Sequence, residues 1–289
     1  MLAIIFNLTF CFKFCVSKMS QNSFNYLLLV FLISIGCKTF SIPDQLANYD
    51  IKGNIKEAKV DQLGNIYLLK EYNNIVKYNP DLIFQYEYAD NTLGEVTTID
   101  VSDPLKILIY KKDYGLLIIL DNTLAELNRI NLYELDYQSV SAVGTALDRN
   151  IWIYDDINYQ LLKINDQGRT LINSISLVDQ GLQNIQPSHI QEKSGKLILQ
   201  DYQNGIFLFD NLGQYMQTFP FSTYKPLQFD GQNIIYFNKN KIVVYDTKFF
   251  NEKTIALEPK EESTELKNAI LKNNKIYYIY NDGLNIYPL

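Results

Sequence analysis

Cysteine, histidine and long apolar runs are all scarce in this chain of 289 residues. Its three cysteines, Cys11, Cys15 and Cys37, stand at or before position 37, so the body beyond them can form neither a disulfide framework nor a thiolate metal site. A body without thiols suits an exported protein, because stray thiols mispair in an oxidising compartment. His189 is the sole histidine, which excludes a zinc site built from several imidazoles. A Ser-His-Asp arrangement would have to use it, and no G-x-S-x-G nucleophile elbow is present. Gln186-Pro187-Ser188-His189 reads as a loop entering a sheet. The chain also lacks a Gly-rich phosphate loop, a dinucleotide fingerprint and a basic run. With a net charge of −6, nucleic acid is not an expected partner, and an anionic membrane surface would not attract the body. No Pro/Gly/Ser-rich linker divides the chain, so one domain is expected after the amino-terminal segment.

That segment holds the longest apolar run, Tyr26 to Ile35, followed by Gly36-Cys37-Lys38. About ten apolar residues are too few to span a bilayer but suit the core of an export signal. Gly-Cys after such a run resembles a bacterial lipobox, although Ser34 stands where that pattern prefers Leu. The resemblance implies lipidation of Cys37 and an address in a bacterial envelope, with the outer membrane the expected site of the anchor. Met19 is a more economical start than Met1, whereas Lys13 and Lys18 would supply the positive region of a longer signal. Residues 1–37 are read as a signal peptide and residues 38–289 as the domain. Removing the signal takes away two lysines and no acid, leaving a body of about −8.

The body is organised by repetition. Lys59 to Leu69, with a Gly64-Asn65 turn, leads into Asn74–Tyr78, a Pro80-Asp81 turn and Leu82–Tyr88. The turn dipeptides stand where chain reversal needs them, and the segments between are β-branched and aromatic. Similar pairs of strands begin at Lys106, Ile151, Lys196, Asn233 and Lys275, giving six copies roughly 37–45 residues apart. Six such units predict an all-β fold, a six-bladed β-propeller of four-stranded antiparallel blades. The last copy stops at Leu289 after its third strand, and extended pieces precede the first copy at Ser41–Tyr49 and Ile51–Lys59. One of these is expected to complete the last blade and close the ring, since an open ring leaves unpaired edges.

Asp61, Gly64, Asn65, Ile66, Tyr67, Asn74, Ile75, Lys77 and Tyr78 resemble the repeat of NHL-type six-bladed propellers. The resemblance covers roughly residues 55–289 and is more specific for architecture than for activity. It implies a superfamily of protein-binding modules, lyases and lactonases. The lyases resemble His-ligated metal enzymes, which one histidine does not suit. The lactonases hold a cation in the central channel through Glu, Asn and Asp, which makes calcium the one cofactor to consider. Asp100, Asp103, Asp148 and Asp230 are the candidate oxygens, but Asp61 and Asp148 also sit where Asp caps its own turn.

The loops between second and third strands share a theme of acid and tyrosine: Glu71-Tyr72, Asp113-Tyr114, Asp155-Asp156 with Tyr159, Asp201-Tyr202, and Asn281-Asp282. In a propeller they lie on the same side as the connections between blades. Tyrosine offers contact area at low entropy cost together with a hydroxyl, which suits a binding face. Turns attract Asp for their own reasons, and tyrosine is abundant throughout the chain, with 22 copies. Trp152, in mid-strand, is read as packing between blades. The expected function is a non-catalytic binding or scaffolding propeller with a protein or peptide partner in the envelope. A calcium-dependent lactonase-like hydrolase and a glycan-binding module are the alternatives.

Overall fold

In the computed structural model, residues 51–90, 92, 94–221, 223–258 and 265–289 are described. The signal segment, Cys37 and Ser41–Tyr49 lie outside them. The described chain forms six four-stranded antiparallel sheets. Blade 1 is β2 (Glu57–Val60), β3 (Ile66–Leu69), β4 (Asn74–Tyr78) and β5 (Phe84–Ala89). Blade 2 is β6 (Thr98–Asp103), β7 (Lys106–Lys111), β8 (Leu116–Leu120) and β9 (Glu126–Asn131). Blade 3 is β10 (Val140–Thr145), β11 (Ile151–Asp155), β12 (Gln160–Ile164) and β13 (Thr170–Asn173). Blade 4 is β14 (Pro187–Lys193), β15 (Lys196–Asp201), β16 (Gly205–Asp210) and β17 (Tyr215–Phe219). Blade 5 is β18 (Gln228–Phe229), β19 (Asn233–Asn238), β20 (Lys241–Asp246) and β21 (Asn251–Ala256).

Blade 6 has only three strands of its own, β22 (Leu266–Lys272), β23 (Lys275–Tyr280) and β24 (Gly283–Pro288). Its fourth strand is β1 (Ile51–Lys52), paired antiparallel to β24 with Ile51 opposite Leu284 and Lys52 opposite Gly283. The expected closure is therefore present, made by the second of the two extended pieces. Gly283 permits it: a Cβ there would lie 2.7 Å from the Ile51 carbonyl oxygen. Ile51 is buried with Ile55, Leu284 and Ile286, so the closing strand also seals a hydrophobic cluster shared by blades 1 and 6.

Middle strands read as continuous apolar runs because both faces of each blade are covered by neighbours. Every residue of β7, β8 and β11 is buried. The outer strands face solvent, as β5 and β21 show. Trp152 is fully buried and donates its Nε1–H to Glu192 of blade 4 at 2.7 Å, an inter-blade contact as its sequence position suggested.

The turns are built by side chains. Asn79, Asp121, Asn165 and Asp210 each stand at the end of a third strand and accept backbone N–H groups two and four residues on. Four blades thus share one hydrogen-bonded turn, which is why their third and fourth strands look alike in sequence. Removing the closing contact should cost more than removing an outer-strand residue. Ile51→Ala is expected to lower urea-unfolding stability by about 2 kcal/mol, while Leu171→Ala on exposed β13 should stay within about 0.5 kcal/mol. Equal midpoints for the two variants would contradict closure through β1.

Candidate functional site

The first strands of the six blades surround a central channel, a cavity of about 920 Å³. Its two mouths differ. On the connector face lie the loops between second and third strands and the connections between blades. Hydrogen bonds tie the two kinds of loop together there. Asn73 donates to the carbonyls of Asp90 and Gly94, and Asp201 accepts from the Gln186 N–H. On the opposite face lie the hairpins joining first to second and third to fourth strands.

The four candidate calcium ligands are each engaged by neighbouring groups. Asp100 accepts N–H groups from Ser102 and Thr145. Asp103 accepts from Leu105 N–H and pairs with Arg149 at 2.8 Å. Asp148 is engaged by Asn150 N–H and by Lys163, both at 3.2 Å. Asp230 holds its own turn through Gln232 and Asn233. Among the described residues no three His, Cys, Asp or Glu side chains gather as a metal centre. Asp61 is likewise a turn-former: it accepts Leu63 and Asn65 N–H groups, the Asn65 amide and the Tyr67 hydroxyl.

His189 corrects one expectation. It lies in the first strand of blade 4, in the channel wall, and not in a loop entering the blade. Pro187 opens that strand, a position where a missing N–H is tolerated, and a bulge between Pro187 and His189 follows it. The ring keeps some surface toward the channel, but it sits deep among protein atoms. That desolvation, reinforced by the positive charge of Lys59, lowers the imidazole pKa to about 3. The ring is therefore neutral at neutral pH.

The connector-face candidates fall into two groups. Tyr72, Tyr114 and Tyr159 are exposed, Tyr72 by 78 %. Tyr72 and Tyr159 occupy left-handed backbone, with φ of 56° and 54°. A bulky side chain in that region is strained. Tyr114 lays its ring over Gly94, where a Cβ would come within 2.6 Å of the ring. Glu71, Asp113 and Asp282 are exposed on the same face, and Glu71 accepts from the Asn54 amide at 3.2 Å. Asp155 and Asp201, by contrast, are buried turn caps. Each accepts two following N–H groups and the amide of an Asn three residues on. For Asp201, burial pushes the carboxyl pKa up, but the hydrogen bonds from Asn204 and Gln186 outweigh it and the net shift is downward. Asp156 is anchored by the hydroxyls of Ser139 and Ser141. None of these residues lines the channel; they ring it.

Tyr224 belongs to the same face, outside the acid-and-tyrosine loops. It is 79 % exposed, lies in the connection between blades 4 and 5, and packs on Tyr202 with ring centroids 6.3 Å apart. Its only sequence signal was an aromatic residue just before Lys225-Pro226 in a connector. Exposed leucines also occur on the opposite face, Leu63, Leu105 and Leu147, one per hairpin, spaced singly around the ring.

No protein-family model matches the chain, and no curated protein matches it. Solved structures do resemble it. A catalytically inactive virginiamycin B lyase from Staphylococcus aureus, crystallised with quinupristin, aligns over 84 % of this chain and 99 % of its own, at 13 % identity and a TM-score of 0.56. BamB from Moraxella catarrhalis aligns over 80 % and 82 %, at 12 % identity and a TM-score of 0.50. A protein of unknown function from Bacteroides caccae aligns over the same shares at 13 % identity and a TM-score of 0.50. At such identities the likeness is one of fold, and the fold is a six-bladed propeller.

The neutral His189 makes a pH prediction. Its folded pKa of about 3 lies below the unfolded value of about 6.5, so the unfolded chain binds the extra proton between them. Stability is thus lost as pH falls from about 6.5 toward 3, and His189→Gln should remove part of that loss. The lone imidazole signal in NMR should not titrate between about pH 7.5 and 5. A midpoint near 6.5 would contradict the desolvated, neutral ring.

Proposed function

We propose that this propeller is a non-catalytic binding module whose connector face engages a protein or peptide partner, and that a lipid on Cys37 holds it in a bacterial envelope. One observation carries the first half. Tyrosines stand outward on the connector face, two of them in left-handed backbone that costs of order 1–3 kcal/mol each. The surrounding hydrogen bonds hold that strain: Asn74 N–H closes the turn under Tyr72, and the Tyr159 carbonyl accepts the Leu177 N–H. Exposed tyrosine around the mouth of a channel supplies the contact area and hydroxyls that an interface uses. The second half rests on the sequence alone, on Gly36-Cys37 after the apolar run. A catalytic reading has less behind it, since the candidate carboxylates are committed to turns and ion pairs and burial leaves the one histidine a weak base.

Two experiments test the proposal. Alanine at Tyr72, Tyr159 and Tyr224 should reduce capture of partners from envelope extract by roughly tenfold or more, with the thermal midpoint unchanged or raised. Undiminished capture by a folded triple variant would overturn the binding face. For the anchor, the mature wild-type protein should carry an acyl mass and sediment with membranes, and Cys37→Ser should be soluble and unmodified. Membrane retention of that variant would contradict the anchor.

A further inference from the structure

The connector-face mouth of the channel gathers lysines from three blades. Lys56, Lys225 and Lys267 come from the approaches to blades 1 and 5 and from the first strand of blade 6, and all three line the cavity. Lys59 lies further in, already paired with Glu57 at 2.9 Å. Lys56 reaches Glu95 at 3.4 Å, but that glutamate is 81 % exposed and the pair is correspondingly weak. Among the described residues no carboxylate lies within ion-pairing distance of Lys225 or Lys267. In a chain with a net charge of −6, lysines gathered here with only one exposed ion pair among the described residues are out of keeping with the acidic whole.

The amines are also positioned. Gln200 is fully buried and donates both amide hydrogens to the carbonyls of Thr223 and Lys225, at 2.9 Å each, while its oxygen accepts the Leu227 N–H. That clamp fixes the connector bearing Lys225 and, beside it, exposed Tyr224. Lys267 donates to the Ile55 carbonyl at 3.0 Å, which leaves two of its N–H groups to offer. Burial, aided by the charge of Lys225 and only partly offset by Glu57, lowers the Lys267 pKa, the mark of an amine short of compensating anions. Cations crowded in this way destabilise the empty site and reward the arrival of an anion.

We propose that Lys56, Lys225 and Lys267 form a carboxylate-binding site at the channel mouth, which takes an acidic segment of a peptide whose apolar side chains meet the tyrosine rim. The site rests on the reading of this face as the partner-binding face, and it names the chemistry of the partner. The opposite mouth is not equivalent. Lys193 and Lys272 end their strands there, but Asp61, Asp100, Asp103 and Asp230 line the same end, where acid outnumbers these amines.

The test is fluorescence anisotropy with three labelled octapeptides: alternating Glu and Leu with a free carboxyl terminus, the same with Gln for Glu, and the same with a terminal amide. At about 50 mM salt the first should bind at least roughly tenfold more tightly than the weaker of the other two, and the advantage should shrink as salt rises. Weakening by Gln identifies side-chain carboxylates as the group bound, and weakening by the amide identifies the chain terminus. Lys225→Gln with Lys267→Gln should abolish the preference, and Lys225→Gln alone should reduce it. Lys253→Gln, on the exposed outer strand of blade 5, should leave it intact. Binding should also move the lone His189 NMR signal from within the same cavity. Equal affinity for all three peptides, no binding of the acidic peptide, or a preference that survives the double variant would overturn the site. The rim reading fails separately: alanine at Tyr72 and Tyr159 would then leave the affinity for every peptide unchanged.

Discussion

Each blade must be covered on both faces, and everything else in this molecule follows from that constraint. A sheet such as that of β6–β9, whose middle strands are buried along their whole length, is insoluble alone and stable only between two neighbours. Six such sheets can all be covered only in a closed ring. Closure falls to a two-residue strand, Ile51–Lys52, lent to the last blade from the other end of the chain. Small as it is, this pairing covers the open edge of β24 and joins six dependent sheets into one cooperative body.

Buried cations refine that packing. Lys77, Lys106, Lys111 and Lys163 are each at most 5 % exposed, and each reaches across toward another element. Lys77 donates to the Asn122 carbonyl of blade 2, and Lys106 to Asp166 of blade 3. Lys111 meets Asp90, and Lys163 meets Asp148 and Glu192 while lying 4.7 Å from the Trp152 ring centre. Around Asp90, burial raises the carboxyl pKa, yet bonds from Thr92 and the charge of Lys111 bring it down to about 2. A buried amine left without its partner is expensive, so these contacts fix which blades sit together and in what rotation.

How much of this the sequence disclosed depends on how local the interaction is. Asp61, Asn65 and Tyr67 form one hydrogen-bonded turn within seven residues, and they read correctly as a turn. Lys77 belonged to the same repeat pattern, but its partner stands 45 residues away, and no period announces that. The acid-and-tyrosine theme of the connector loops mixed two kinds of residue. Asp155 and Asp201 were visible for the reason turns favour aspartate, whereas the exposure of Tyr72 and Tyr159 depends on where their loops sit in the ring, which no single-residue reading discloses. The lysines at the channel mouth were further out of reach, since they come from three blades and meet only when the ring closes.

Fold and function connect at the connector face. There the aromatic residues are exposed, the loops are tied to the blade connections, and the channel opens among weakly paired amines. The opposite face offers scattered leucines, the exposed pair Phe249-Phe250, and a mouth where acid outnumbers amine. Photo-crosslinking in living cells compares the two faces directly. A photoreactive phenylalanine analogue would be placed at Tyr72, Tyr159 and Tyr224 on one side, and at Leu63, Leu147 and Phe249 on the other. Adducts to another protein from the first set alone are the expected result. Adducts from the second set, with none from the first, would contradict the assignment of the binding face.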